Sequence, residues 1–346
     1  VTSTHQAGQA ARPTICLSVL DEFRSRFFDA DAMRRLEAAG DLVLDPDPEE
    51  HASAESRASL ARADVLLTCW DTGHIGGLLE AGALPRLRML VHAGGSVRGI
   101  TGPEIFDRGI RVSSQTELNS EPVAEFTMAM IILAAKNVFR AQHVYRQTKA
   151  KPPYDEEPFA SSGFYGSTIG LIGLSRISRR VIDLLRTSPV TIKVSSGHLT
   201  EDEANSLGVH RATQDEVLST CDVVSLHSAS TPHTYHMLGA REFALLKDDA
   251  TFINTARGAI CDEQALIAEL ETGRIQAIID VTDPEVPVPD SPLWTLPNVQ
   301  LFPHYAGSMG RELYRLGTGA IDDVEHFLRG IPIAGEFTRR EYDGRA

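Results

Sequence analysis

Residues Thr251–Gly307 read TFINTARGAICDEQALIAELETGRIQAIIDVTDPEVPVPDSPLWTLPNVQLFPHYAG, and the punctuation of this stretch decides the fold. Three short apolar runs, Thr251–Asn254, Ala277–Val281 and Val299–Phe302, read as buried strands. Between the first two, Glu263–Thr272 has helical spacing at Leu266, Ile267 and Leu270, and Gly273 stops it. Strand, helix and strand in succession predict a parallel sheet, whose strands all end at one edge. One ionisable residue follows each run: Arg257, Glu285 and His304. They are 28 and 19 residues apart in sequence, yet a common strand edge brings them to one crevice.

That trio suits the reduction of a carbonyl beside an anionic group. A guanidinium clamps a carboxylate with two parallel hydrogen bonds and polarises the neighbouring carbonyl. An imidazolium gives a proton to the carbonyl oxygen as hydride reaches carbon, and a carboxylate against the imidazole favours its charged form and fixes its tautomer. Any one of the three alone reads better as a polar loop residue.

The surrounding motifs Ile253–Gly258 (INTARG), Asp280–Glu285 (DVTDPE) and Pro303–Ser308 (PHYAGS) resemble the signatures of the D-isomer-specific 2-hydroxyacid dehydrogenase family. The resemblance runs from about Asp64 to about Gly330. It implies two doubly wound parallel α/β domains, a flavodoxin-like substrate domain and a Rossmann-type NAD(P)-binding domain. It implies Arg257, Glu285 and His304 as the catalytic set, with Asp283 as the runner-up partner for the histidine. It also implies that the substrate domain is built from both chain ends, residues 1–118 and 308–346, around a dinucleotide domain of residues 119–307.

Upstream, Ser167–Ile172 reads as a strand and Arg176–Arg186 as a helix with Ile177, Val181, Leu184 and Leu185 on one face. Between them the dinucleotide fingerprint G-x-G-x-x-G appears as Gly173-x-Ser175-x-x-Ser178. Strand, turn and helix are in place, but serines replace two glycines. Their amides at a helix N-terminus still suit phosphate. The next strand, Val190–Ser195, ends at Ser196, where NAD-preferring proteins carry an acidic residue. NAD is the family's usual cofactor; the missing carboxylate, with Lys193 and His198 nearby, leaves NADP open. The resemblance assigns the cofactor site to Gly173, Ser175, Arg176, Ile177, Ser196, Thr231, Thr255, Ala256, Asp280, His304 and Gly307, with Asp280 holding the nicotinamide carboxamide.

In the N-terminal part, Thr14–Leu20, Asp41–Leu44, Asp64–Cys69, Met89–His92 and Gly109–Ser113 read as strands, with helices at Ala30–Ala39, Ala54–Ala61 and Ile75–Ala81. The loop HAGGSVR after Met89–His92 can form an anion-binding nest of backbone amides. The resemblance places the substrate carboxylate on the amides of Gly95 and Ser96. Arg98 stands where the family often has aspartate, and reads equally as an extra anion contact or as a solvent-facing side chain. Glu121–Phe139 reads as a buried apolar helix started by Pro122, and the family uses it as a dimer contact. Lys149–Ser162 reads as an extended arm, and Met309–Leu328 as a long amphipathic helix.

Composition bounds the rest. The 346 residues suffice for two domains, and a net charge of −14 without a basic stripe argues against nucleic acid. No apolar run reaches the roughly 18 residues of a membrane span. The first dozen residues, VTSTHQAGQAAR, lack the apolar core of a secretion signal and read as a disordered or trimmed tail. Cys16, Cys69, Cys221 and Cys261 form no C-x-x-C pair and read as buried reduced thiols of a cytoplasmic protein, with Cys261 the one candidate nucleophile. His227, His233 and His236 make no convincing metal set. The expected function is hydride transfer between NAD(P)H and the C2 carbonyl of a small 2-oxo acid, in a cytoplasmic homodimer joined through residues 121–165. The alternative is a dinucleotide-sensing partner-binding protein with vestigial catalysis. Formate chemistry is disfavoured because the formate enzymes that share the fold carry glutamine where this chain has Glu285; phosphite remains open.

Overall fold

The computed structural model describes residues 12–344, so the N-terminal stretch read as a tail falls, up to residue 11, outside the described residues. The chain divides into two compact units. One combines the chain through Asn119 with the chain from Met309 onward; the other is Ser120–Ser308.

The first unit holds β1 (Thr14–Ser18), β2 (Asp41–Leu44), β3 (Val65–Thr68), β4 (Met89–His92) and β5 (Arg111–Ser114), all parallel in the order β2-β1-β3-β4-β5. Strand order reverses at β1, which marks the carboxyl ends of β1 and β3 as a ligand edge. Interior β3 and β4 are buried throughout, as continuous apolar runs require, whereas edge strand β2 is partly exposed. Alternation splits the core in two. Ile15, Leu17, Val65, Leu67, Met89 and Val91 face one layer of helices, and Cys16, Leu66, Leu90 and Val112 face the other.

The long helix Leu313–Arg329 belongs to this unit and buries Leu313, Leu316, Gly317, Ala320, Ile321, Val324 and Phe327. It also buries Asp323, whose carboxylate accepts from Gln115 Nε2 at 3.0 Å. Gly317 has no room for a side chain, because a Cβ there would overlap the carbonyl of Phe27. Gly317→Ala should therefore destabilise by about 2–4 kcal/mol through forced backbone separation. Urea denaturation checks this; an unchanged midpoint contradicts the packing described.

The second unit holds β6 (Thr168–Ile172), β7 (Thr191–Ser195), β8 (His210–Arg211), β9 (Val223–Leu226), β10 (Thr251–Asn254), β11 (Gln276–Ile279) and β12 (Val299–Leu301). They form a parallel sheet in the order β12-β11-β10-β9-β6-β7-β8, with the switch between β6 and β9. The helix Arg176–Leu185 buries Ser178, Val181, Ile182 and Leu185. Its buried face is thus rotated from the expected one, because the small Ser178 lies against the sheet while Ile177 and Leu184 are only partly covered.

The apolar helix expected over Glu121–Phe139 instead runs Thr116–Ala135, and a second helix, Val138–Thr148, follows it. Pro122 lies inside the first helix rather than at its start. Asn137, at φ 53°, breaks the path in the left-handed conformation that asparagine tolerates. No single helix among the described residues is long and apolar enough to cross a membrane; these two pass such a test only jointly, with a 55° bend between them. Residues 149–162 form turns without helix or strand.

Candidate active site

The second unit carries Arg257, Glu285 and His304 on loops that follow three neighbouring strands, β10, β11 and β12. Buried Asn254 ends β10 and folds the next turn: its Oδ1 accepts from Ala256 N at 3.0 Å and its Nδ2 donates to Arg257 O at 3.1 Å. Gly258 follows, and a Cβ there would overlap the carbonyl group of Thr282. Only glycine lets the two loops meet so closely. Thr282 Oγ1 donates to Glu285 O at 2.9 Å and closes the second loop under the carboxylate.

His304 comes three residues after β12, at φ 54°. Asp280 holds that turn: its carbonyl accepts from His304 N at 2.8 Å, and its carboxylate oxygens accept from Tyr305 N at 2.6 Å and Ala306 N at 3.1 Å. Three bonds to one buried residue fix a backbone conformation that costs a non-glycine residue energy. The imidazole Nδ1 lies 2.5 Å from Glu285 Oε1, with the side chains 46% and 62% exposed. Among the described residues Nε2 has no hydrogen-bond partner, so the carboxylate orients one ring nitrogen and leaves the other for a ligand. Loss of water lowers the Arg257 pKa, Glu285 raises it, and the group remains a cation.

The anion loop of the first unit follows β4. Gly94 O accepts from Gln115 N at 2.8 Å, and Gly95 O from Thr116 Oγ1 at 2.9 Å. The amides of Gly95 and Ser96 have no partner among the described residues. Arg98 turns to the C-terminal segment, with its guanidinium 4.6 Å over the Tyr342 ring. Beneath the loop His92 is fully buried and pushed down to about 3 by desolvation, so it is neutral. Its Nδ1 lies 3.1 Å from Thr68 Oγ1, and a Cβ on Gly94 would meet both its Nε2 and Trp70 Nε1.

At the β6/β9 switch, Gly173 has φ 99°, and a Cβ there would lie 2.6 Å from Ser228 N and 2.7 Å from His227 C. The glycine thus leaves a cradle against the end of β9 that a side chain would fill. The helix Arg176–Leu185 opens directly after it with Ser175 as N-cap, a fit for a pyrophosphate on the first-turn amides of Arg176 and Ile177. The two serines cap each other: Ser175 N donates to Ser178 Oγ at 2.7 Å, and Ser178 N to Ser175 Oγ at 3.3 Å. Ser196 is half-buried after β7, and its Oγ accepts from His198 N at 3.4 Å. Thr231 and Thr234 pair hydroxyls at 3.1 Å after β9. Thr255 Oγ1 lies 3.1 Å from Thr127 Oγ1, and Gly307 is half-buried just past the His304 turn.

Neither Asn254 nor Gly258 stands out in sequence: Asn254 acts through the backbone of the next turn, and Gly258 meets a loop 24 residues away. The four cysteines are free and buried, and burial is the main cause that pushes Cys261 up to about 12. Cys261 is therefore a poor nucleophile. Trp294 spends its indole N–H on Val288 O at 3.0 Å.

Comparison with known proteins agrees with this geometry. A family model described as D-isomer specific 2-hydroxyacid dehydrogenase, NAD binding domain, matches residues 128–306, which include all three candidate catalytic side chains. A D-3-phosphoglycerate dehydrogenase of Methanocaldococcus jannaschii is 30% identical over 302 residues, 87% of this chain and 56% of that protein. This chain thus spans about half the length of that relative. A glyoxylate reductase of Korarchaeum cryptofilum is 31% identical over 249 residues, 72% of this chain and 75% of that one. In fold, a phosphoglycerate oxidoreductase from Rhizobium etli superposes with a TM-score of 0.74 at 24% identity, covering 94% of this chain and 97% of its own. The matched domain, two parallel sheets and three strand-end side chains agree, and the chain belongs to the D-isomer specific 2-hydroxyacid dehydrogenase family.

Proposed function

We propose that this chain interconverts a small 2-oxo acid and its D-2-hydroxy acid with a nicotinamide dinucleotide. The observation that carries this reading is the His304–Glu285 pair at 2.5 Å on the strand edge that also presents Arg257. When bound, the cofactor supplies the hydride to C2. The protein does the rest. Arg257 binds the carboxylate and draws charge onto the carbonyl oxygen. His304 gives that oxygen a proton from Nε2, while Glu285 holds Nδ1–H and the ring orientation. In the oxidative direction neutral His304 takes the proton back. In the first unit, the Gly95 and Ser96 amides are free donors that suit a carboxylate. Purified protein should oxidise NADH or NADPH, followed at 340 nm, with at least one of glyoxylate, hydroxypyruvate and 2-oxobutyrate. Absence of turnover with all three under either nucleotide contradicts the reading.

NAD is the cofactor named for the matching domain. The end of β7 offers no carboxylate against a 2′-phosphate, so NADPH is the second substrate to test. The serine pair tunes this site, because Ser178 Oγ occupies the Ser175 amide that a phosphate could use. Ser178→Ala should tighten NADH roughly threefold by freeing one donor, at a small cost in helix capping. A fluorescence titration reads this; weaker binding contradicts the competition.

We also infer a cytoplasmic homodimer joined through residues 121–165. The support is the helix Val138–Thr148, which buries none of its residues, and the exposed Tyr145, Tyr154 and Tyr165 around it. Four free thiols fit a reducing compartment. Sedimentation should give twice the 37.7 kDa chain mass; a monomer at micromolar concentration contradicts it.

A further inference from the structure

The C-terminal segment of the first unit has no role in the reading above, yet it grips the loop that presents Gly95 and Ser96. Residues 335–337 pair with β5: Ser114 N donates to Gly335 O at 3.0 Å and Phe337 N to Val112 O at 3.1 Å. Arg111 binds Glu336 with both ends of its fork, at 2.5 and 2.6 Å. This anchoring delivers Tyr342, on the helix Arg339–Gly344, against Phe106 at 5.6 Å between ring centroids. Tyr342 is buried.

Three of those contacts reach the anion loop. The Tyr342 ring lies under the Arg98 guanidinium at 4.6 Å, its carbonyl accepts from Arg98 Nη2 at 2.8 Å, and its hydroxyl donates to Thr101 O at 3.0 Å. Arg98 and Thr101 lie two and five residues beyond Ser96. Between them Ile100 N and Thr101 N both donate to Val97 O, at 2.9 and 3.0 Å. The loop therefore has a fixed start at Gly94 and Gly95, a compact turn at its end, and Tyr342 clamped across that turn. A loop with glycines at 94, 95 and 99 needs such restraint, because glycine loses the most freedom when ordered.

We propose that Tyr342 is a positioning residue for substrate binding: by holding Arg98 and Thr101 it keeps the Gly95 and Ser96 amides set to receive a carboxylate. Arg98 thus acts toward the protein rather than toward substrate. The inference rests on the dehydrogenase reading for its ligand, but the brace itself has a readout free of catalysis.

The test uses the full chain with Tyr342→Ala, Tyr342→Phe, Arg98→Met and the double variant Arg98→Met/Tyr342→Ala. With the 2-oxo acid that wild type turns over best, Tyr342→Ala should raise KM about tenfold with kcat within about threefold, as expected for loss of the cation–π contact with Arg98 and of the hydroxyl bond to Thr101 O. Tyr342→Phe keeps the ring under Arg98 and should raise KM only about twofold. The double variant should raise KM by less than the product of the two single effects, since both remove the shared cation–π contact. Affinity for NADH should stay at the wild-type value throughout. Hydrogen exchange at the Ile100 and Thr101 amides should quicken about tenfold or more in Tyr342→Ala. If Arg98→Met raises KM while Tyr342→Ala does not, Arg98 contacts substrate itself and the proposal falls. A lowered melting temperature with wild-type KM and wild-type exchange overturns it too. Should wild type turn over no 2-oxo acid, the dehydrogenase reading fails, and unchanged exchange in Tyr342→Ala then removes the brace as well.

Discussion

His304→Gln lowers turnover about 10²–10⁴-fold, the usual share of general acid–base catalysis, with nucleotide affinity unchanged. Glutamine keeps an amide N–H that can reach Glu285, so the 2.5 Å contact is replaced rather than left as an unpaired carboxylate. What it lacks is a proton it can release at neutral pH. The backbone is a secondary concern. Position 304 sits at φ 54°, where glutamine costs about 1 kcal/mol, a small drop in melting temperature rather than unfolding. Three bonds from Asp280 hold the turn whatever side chain projects from it. Turnover near the wild-type rate would remove His304 as the acid.

Arg257→Met should lower kcat/KM by about 10²–10⁴-fold, the value of two hydrogen bonds to charged groups. Methionine cannot clamp a carboxylate, and it leaves Glu285 without the cation that faces it. Arg257→Lys should recover only part of the loss, because a point charge does not match the two carboxylate oxygens. Steady-state kinetics with the 2-oxo acid, paired with an NADH titration, separates this from cofactor loss. A rise in KM of less than threefold with unchanged kcat would place Arg257 away from the substrate.

Much of this arrangement is legible in the chain because parallel strands leave a plain mark. Met89–His92 and Thr251–Asn254 read as strands with the bounds they have in the structure, since a strand buried on both faces must be a short continuous apolar run. The ionisable residue after each such run follows from the same rule. Helix ends were less legible. The polar residues TELNSE open the helix Thr116–Ala135 without adding to its apolar pattern, so Pro122 reads as a start. Asn137 breaks the next turn by a backbone choice that apolar spacing does not encode.

The supports of the site are the least legible part. Asn254 looks like one polar residue at a strand end, and its role appears only once the Ala256 and Arg257 backbone curls round it. Gly258 resembles any glycine after an arginine until the Thr282 carbonyl is seen where its side chain would be. Arg98 and Tyr342 are 244 residues apart, and no local pattern links them. Asp280 reads from the family resemblance as a cofactor ligand, and no local pattern shows that its carboxylate also accepts two amides of the His304 turn.

The most direct test of the central claim is the chirality of the product. Wild-type protein, NADH and 2-oxobutyrate would be incubated to partial conversion, and 2-hydroxybutyrate resolved by chiral chromatography. The account predicts the D-isomer from wild type and its near disappearance with His304→Gln at equal NADH occupancy. The L-isomer, or D-isomer formed equally by both proteins, would contradict it.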